Sequence, residues 1–309
     1  MEPQYFTLPA SGDGITLSLA LTVPETEPKA VLQLVHGMSE HKGRYLPLMQ
    51  FLSSRGYACV MSDLRGHGAS AATPSDLGYF SKGGWKGTVA DIAAVSAWCK
   101  ERFPGLPLFL FGHSMGSMLV RAYCKEHDED IAGLVVCGSP SANSAAGLGK
   151  ILARIVWMFN GWRYRSRFLA QLATGTYGKK FKRKGGSAHA WICSDNAVVE
   201  AYDADPLCGF PFTVNGYYNL FALMQDIYDE KGWNVRHPDL PVLFIAGAED
   251  PCIVSLKKFA SAVSFFRGRG YSNVTSKVYP SMRHEIHNET GKQAVWDDLA
   301  NTLDVWTAR

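Results

Sequence analysis

The stretch PLFLFGHSMG, residues 107–116, decides the fold. Its first half, Leu108 to Phe111, is a continuous apolar run. A strand buried on both faces has that composition, and both faces are buried in parallel sheets covered by helices. Its second half, Gly112 to Gly116, matches G-x-S-x-G. A Ser at a tight strand-to-helix turn projects its oxygen from the sheet edge, and flanking glycines let helix and strand approach closely. The segment that follows, MGSMLVRAYCKEH, has a helical pattern. The motif therefore sits in strand–turn–helix context, which an ordinary Gly-rich turn would not need.

The same strand pattern recurs outward in both directions. AVLQLVHG (30–37), YACVMSDLRGHG (57–68), IAGLVVCGSP (131–140) and PVLFIAGAED (241–250) are apolar runs ending in turn residues, and SNVTSKVYP (272–280) is a more mixed strand. QYFTLP and ITLSLALTVP flank the turn ASGDG and read as an N-terminal hairpin. Helical patterns lie between: YLPLMQFLSSRG stops at Gly56, and TVADIAAVSAWCKERF stops before Pro104. Eight strands alternating with helices predict an α/β fold, a mostly parallel eight-stranded sheet with helices on both faces. The alternation breaks between Ser141 and about Pro238, a gap far longer than ordinary connections. It carries helix-like stretches such as LGKILARIVWMFN and FTVNGYYNLFALMQDIYDE. Residues 141–237 are therefore expected to be an inserted helical lid, and 1–140 with 238–309 the core.

Composition limits what the chain can be. With 309 residues, 47% hydrophobic and 19% charged, it has the material for a large core and is not a disordered chain. A net charge of +3 is too weak to argue for a nucleic-acid binder. The distribution is uneven, however. Ser141 to Ser194 holds ten Lys/Arg and no acid, leaving the remainder with 21 cations against 28 acids, a net of −7. The seven Cys are odd in number and lack metal spacing, which suggests a reducing compartment. The N-terminus lacks a basic start and an apolar core, so no signal peptide is expected, and no apolar run reaches membrane-spanning length. These readings point to a cytoplasmic protein, peripheral to membrane at most.

A Ser hydroxyl is a poor nucleophile without a base, and the base must be oriented by a carboxylate. In sheets of this kind the chain order is Ser, acid, His. Asp250 follows the strand PVLFIAG in x-D-P, and His284 follows SNVTSKVYP. Both fall at carboxyl ends of strands, where such sheets place ligands. Ser114, Asp250 and His284 are the candidate triad. Glu249 is the rival acid; His287 reads as a surface residue and His113 as packing under the turn. The oxyanion needs two backbone N–H donors. Met115, next to the nucleophile, supplies one, and Met38 supplies the other from the loop HGMSEH. In SDLRGHGAS, Asp63 and His67 lack a third metal ligand, so Asp63 is expected to pair with Arg65 beside the site.

Together HGMSEHKGRY (36–45), DLRGHGAS (63–70), GHSMGS (112–117), GAEDP (247–251) and MRHEIHNE (282–289) resemble the α/β-hydrolase superfamily, and more narrowly its monoacylglycerol lipase and lysophospholipase group, often filed with serine aminopeptidases. The resemblance spans nearly the whole chain outside the insertion. It implies the α/β-hydrolase fold with a lid, Ser114 as nucleophile, Asp250 as acid, His284 as base, Met38 and Met115 as oxyanion donors, and no metal or organic cofactor. The group often has a small residue where this chain has Met38.

The activity this implies is hydrolysis of carboxylic esters of lipid-like substrates through an acyl-enzyme. A broad-specificity carboxylesterase and an aminopeptidase or amidase are the alternatives; a non-catalytic relative would need a broken triad. Ile151, Leu152, Ile155, Val156, Trp157, Met158, Phe159 and Trp162 read either as the lid's own core or as an acyl-chain entrance. Trp157 and Phe159, with His36 and Gly37 on the oxyanion loop, are the candidate substrate-lining residues. Arg163, Arg165, Arg167 and the run Lys179 to Lys184 are expected to meet an anionic lipid surface weakly.

Overall fold

In the computed structural model, which describes residues 2–10, 12–181 and 186–308, each apolar run of the sequence becomes a strand. The hairpin is β1 (Gln4–Pro9) and β2 (Thr16–Thr22), closed by the Ala10 N–H donating to the Ile15 carbonyl at 2.8 Å. The parallel strands are β3 (Ala30–Val35), β4 (Tyr57–Ser62), β5 (Leu108–His113), β6 (Gly133–Cys137), β7 (Val242–Gly247) and β8 (Val274–Tyr279). Their spatial order is β1-β2-β4-β3-β5-β6-β7-β8, antiparallel only where β1 meets β2 and β2 meets β4. The expected eight-stranded, mostly parallel sheet is thus what forms.

Successive side chains on a strand point to opposite faces, so each strand feeds two cores. On β5, Leu108 and Leu110 enter one apolar cluster and Phe109 and Phe111 the other. The first face is covered by α2 (Gly84–Arg102), α3 (Met115–His127) and α8 (Leu256–Arg267), the second by α1 (Leu46–Ser54) and α9 (Lys292–Thr307). Both faces of the central strands β3, β4, β5 and β6 are therefore dry, which is why they read as unbroken apolar runs. The edge strands β1 and β8 instead carry exposed residues and mixed sequence.

Between β6 and β7 the chain forms α4 (Ala146–Asn160), α5 (Arg167–Thr174), α6 (Asn196–Ala204) and α7 (Val214–Asp226). This region is not a uniform outer layer. Helix α7 packs on α2 and α3, and Val214, Tyr217 and Leu223 join the main core. Helix α4 touches α7 through small residues: only Ala146, Gly149 and Ala153 are buried on it, and a Cβ at Gly149 would lie 3.0 Å from the Phe221 ring.

Leu152 and Val156 on the same side are half-buried against the main core, while the outer face of α4 stands in solvent, which corrects the expectation for the apolar residues of that face. Phe159 is 81% exposed and Met158 65%, with Leu148, Ile151 and Ile155 also exposed. They form neither a lid core nor a cavity wall. Trp157 stacks on Trp162 with centroids 4.7 Å apart.

Candidate active site

The turn between β5 and α3 is built as the motif requires. Ser114 has φ 55° and ψ −118°, a backbone conformation an L-residue adopts only under constraint. The constraint is packing. A Cβ on Gly112 would lie 2.5 Å from the Gly116 carbonyl, and one on Gly116 would lie 2.2 Å from the Val35 carbonyl. Only glycines let β5, α3 and β3 approach this closely. The Ser114 N–H donates to the Cys137 carbonyl at 2.9 Å, fixing the turn to β6.

Asp250 follows β7 and is 3% exposed. Its Oδ1 accepts from the Cys252 N–H at 2.8 Å, and its Oδ2 lies 2.9 Å from His284 Nδ1. A carboxylate on Nδ1 keeps the proton there and leaves Nε2 as the basic nitrogen. Burial pulls the His284 imidazole down, but the Asp250 carboxylate outweighs it, and the ring titrates well above its ordinary value. Ser114 and His284 border one cavity of about 470 Å³. Among the described residues no hydrogen bond joins them; Nε2 faces Cys252 Sγ at 3.9 Å.

The Met38 and Met115 N–H groups have no hydrogen-bond partner among the described residues. Met115 opens α3, where backbone N–H groups and the helix dipole favour negative charge. Met38 lies on the loop after β3, where Gly37 brings the backbone against Ser114: a Cβ there would sit 2.9 Å from Ser114 Cβ. The Gly37 N–H is already committed to Glu40 Oε1 at 2.7 Å. Next to Met38, Ser39 holds a positive φ of 53°. Three bonds from the insertion hold it: Tyr202 Oη and the Gly209 N–H donate to the Ser39 carbonyl, each at 2.9 Å, and Ser39 Oγ donates to the Phe210 carbonyl at 2.7 Å.

Glu40 carries more of this architecture than its place in the sequence suggests. Besides Gly37 N–H, it accepts from Tyr45 Oη at 2.9 Å and from Arg44 Nη1 at 2.8 Å, and lies 3.3 Å from His113 Nδ1. His113 Nε2 in turn lies 3.2 Å from the His284 carbonyl, and Arg44 pairs bidentately with Glu285 at 2.7 and 2.6 Å. One buried carboxylate thus joins the loop after β3, the strand β5 that carries Ser114 and the loop that carries His284. Burial raises the Glu40 carboxyl, but His113 and Arg44 hold it well below the usual carboxylate range. Glu40→Leu leaves Arg44 with one acid and Gly37 N–H unpaired. The expected cost is about 3 kcal/mol of stability, read by urea denaturation.

Several expected placements differ. His36 is fully buried, with Nε2 accepting from the Leu64 N–H at 2.9 Å, and it does not border the cavity. Gly37 lies behind Ser114, and neither Trp157 nor Phe159 borders the cavity. The lining includes Met38, Met115, Met118, Leu220, Phe221 and Met224. Asp63 pairs with Lys42 at 2.5 Å, and Arg65 with Asp91 at 2.7 Å and Asp13 at 2.6 Å, rather than with each other. His287 is not a surface residue: it is 1% exposed, stacked on Tyr45, with both ring nitrogens unpartnered among the described residues. Burial holds it well below its ordinary value, in the neutral form. Arg163 pairs with Asp76 at 2.8 Å and Arg165 donates to the Leu77 carbonyl at 2.7 Å, so both are tied to the core. Lys182, Arg183 and Lys184 lie outside the described residues.

Three groupings of His, Cys and Asp bring potential metal-ligand atoms within 4.8 Å of one another. One is Asp250, Cys252 and His284 itself. In His113–Cys137–His287, both His113 nitrogens are already engaged. In His41–Asp205–Cys208, His41 Nδ1 accepts from the Gly43 N–H, which puts the ring proton on Nε2 toward Asp205 and leaves no lone pair there for a metal.

A strained serine between a parallel strand and a helix, with an Asp–His pair at the ends of the next strands, defines an α/β-hydrolase. The chain belongs to the family described as serine aminopeptidase, S33, which matches residues 26–291. It is 25% identical over 290 residues to a monoacylglycerol lipase of Mycolicibacterium smegmatis, covering 94% of this chain and 93% of that one. It is 30% identical to the monoglyceride lipase of Rattus norvegicus, over 98% and 91% of the two chains. A thermostable carboxyl esterase of Bacillus coagulans superposes with a TM-score of 0.91 at 24% identity, covering 99% of each chain, a likeness of fold. Both of these sequence relatives are monoacylglycerol lipases.

Proposed function

We propose that the chain is a serine hydrolase of lipid-like carboxylic esters, with monoacylglycerols and lysophospholipids as its substrates. The observation that carries this reading is the meeting of Ser114 and His284 on one cavity, with His284 Nδ1 on Asp250. Ser114 Oγ attacks the ester carbonyl while His284 Nε2 takes its proton. The developing oxyanion accepts from the N–H groups of Met38 and Met115, held in place before the reaction. His284 then protonates the leaving alcohol. Water, activated by the same imidazole, hydrolyses the acyl-enzyme. The contact between Oγ and Nε2 tightens when substrate fills the site, as catalytic hydrogen bonds do.

The lining is mixed, and its apolar part, Met118, Leu220, Phe221 and Met224, supports an acyl chain, because apolar walls recognise apolar tails. Residues 141–237 act as the lid over it. The experiment is a chain-length series of monoacylglycerols and lysophospholipids alongside short esters and aminoacyl amides. Long-chain esters are expected to have the highest kcat/KM. Amide cleavage outrunning all esters would overturn the substrate class.

The exposed face of α4 and α5 is the membrane contact in this reading. Leu148, Ile151, Ile155, Met158, Phe159, Phe168 and Leu172 are exposed, flanked by Arg154, Arg167, Lys179 and Lys180 with no acid in between. Apolar residues enter the interface while cations near an anionic surface add about 1 kcal/mol each. No helix among the described residues is long and apolar enough to cross a membrane. Co-sedimentation is expected to be stronger with vesicles containing phosphatidylserine than with neutral vesicles, and weaker for Phe159→Glu. Equal binding to both vesicle types would remove the electrostatic contact.

A further inference from the structure

The His284 ring is enclosed by groups from three parts of the chain. Asp250 and Cys252 come from the turn after β7, and His113 from the end of β5, its ring 4.6 Å from that of His284. The third is an indole from the insertion: the Trp191 ring lies 5.0 Å from the imidazole, tilted by 41°, and also borders the cavity.

Trp191 is not there by loose packing. The residues around it are tied to the residues around His284. The Glu285 N–H donates to the Ile192 carbonyl at 2.7 Å, and Arg283 Nη1 donates to the Ala190 and Cys193 carbonyls at 2.6 and 2.8 Å. The Ser194 N–H donates to Glu289 Oε1 at 2.9 Å. Residues 190–194 and 283–289 thus form one hydrogen-bonded unit, with an indole on one strand of it and the base on the other. Tyr177 backs the indole at 5.1 Å.

We propose that Trp191 is a positioning residue for the reaction, which fixes the His284 ring and stabilises the charge that ring carries after taking the Ser114 proton. The inference rests on the reading of Ser114 and His284 given above. When Ser114 Oγ–H passes its proton to Nε2, the imidazole becomes a buried cation, a form that burial disfavours. Asp250 compensates at Nδ1. An indole face within about 6 Å of a cation adds electrostatic attraction, and Trp is the strongest such partner. This enclosure also gives the insertion a part in the chemistry as well as in covering the cavity.

Trp191→Leu keeps an apolar side chain and removes the ring; Trp191→Phe keeps a smaller ring. With p-nitrophenyl butyrate as substrate, Trp191→Leu is expected to lower kcat about tenfold with KM within twofold, and to move the acid limb of kcat/KM down by about one pH unit. The direction follows from the loss of a group that favours the imidazolium; Asp250, Cys252, Tyr177, His113 and His287, the other titratable groups around the ring, are unchanged. Trp191→Phe is expected to recover most of kcat and of the pH midpoint. An unchanged kcat and acid limb in Trp191→Leu would overturn the inference. So would an equal loss in both variants expressed in KM, which would make Trp191 a cavity wall. If Trp191→Leu does not fold, Trp191→Tyr and Trp191→Phe decide the matter, since both should keep the acid limb within half of a unit of the parent and a full-unit shift in either would refute it. Ser114→Ala is measured in parallel. Retained activity there would remove the underlying assignment, whereas an inactive Ser114→Ala beside a silent Trp191→Leu would remove only the role of the indole.

Discussion

Ser114→Ala is expected to lose ester hydrolysis by about 10⁴-fold or more, with folding intact. In the proposed mechanism the whole reaction passes through one oxygen, that of the serine at the strained turn before α3. The backbone strain at residue 114 comes from Gly112, Gly116 and the hydrogen bond to Cys137, not from the serine side chain. Alanine therefore inherits the same turn. Circular dichroism and the urea midpoint should match the parent, while labelling by a fluorophosphonate disappears. Full activity in this variant would refute the nucleophile.

Asp250→Asn is expected to have the second largest effect, about 10⁴-fold in kcat. The amide can still meet His284, but its N–H₂ faces Nδ1 as a donor and drives the ring proton to Nε2, where it blocks the base. The pH dependence supplies an independent check. In the parent the Asp250 carboxylate holds His284 well above its ordinary value against the pull of burial. Only the neutral ring accepts a proton, so kcat/KM should rise with pH through a midpoint above 6.5. Without the carboxylate, burial dominates and the charged form is disfavoured. The residual activity of Asp250→Asn should therefore show its acid limb at lower pH than the parent. A limb that stays put would mean that another group sets it.

The central strands were legible because both of their faces are dry. Leu108 to Phe111 could be recognised from composition alone, since a strand with no wet face has no polar alternation to dilute it. The turn at Ser114 was legible for a different reason: its glycines answer a steric demand within a few residues. The chain order of Ser114, Asp250 and His284 followed from the strands that carry them. The outer face of helix α4 was misread for a physical reason too. The helix's apolar residues were counted without knowing which of them face the core: Ala146, Gly149 and Ala153 are buried and Leu152 and Val156 half-buried, while the others point outward. An apolar side chain in the sequence says nothing of whether a neighbour exists to cover it, and Phe159 has none among the described residues.

Asp63 shows the same limit for charge. Arg65 is two residues away and looked like its partner, yet Lys42 reaches it from the oxyanion loop and Arg65 turns to Asp91. Glu40 and Trp191 were not singled out and His287 was read as a surface residue, because the contacts that matter are distant in the chain: Glu40 with His113, Trp191 with His284, and His287 with Tyr45.

From its residues alone the chain determined the strand and helix pattern, the parallel sheet, the nucleophile turn and the order of the three side chains around it. Each of these is written in spacings of a few residues, where backbone sterics and burial period act directly. Tertiary structure decided which acid each cation meets, that Glu40 joins three loops, that an indole lies on the base, and that the α4 face is bare. Those outcomes depend on which distant segments come to lie side by side, and contact energies between them have no local period from which to be read.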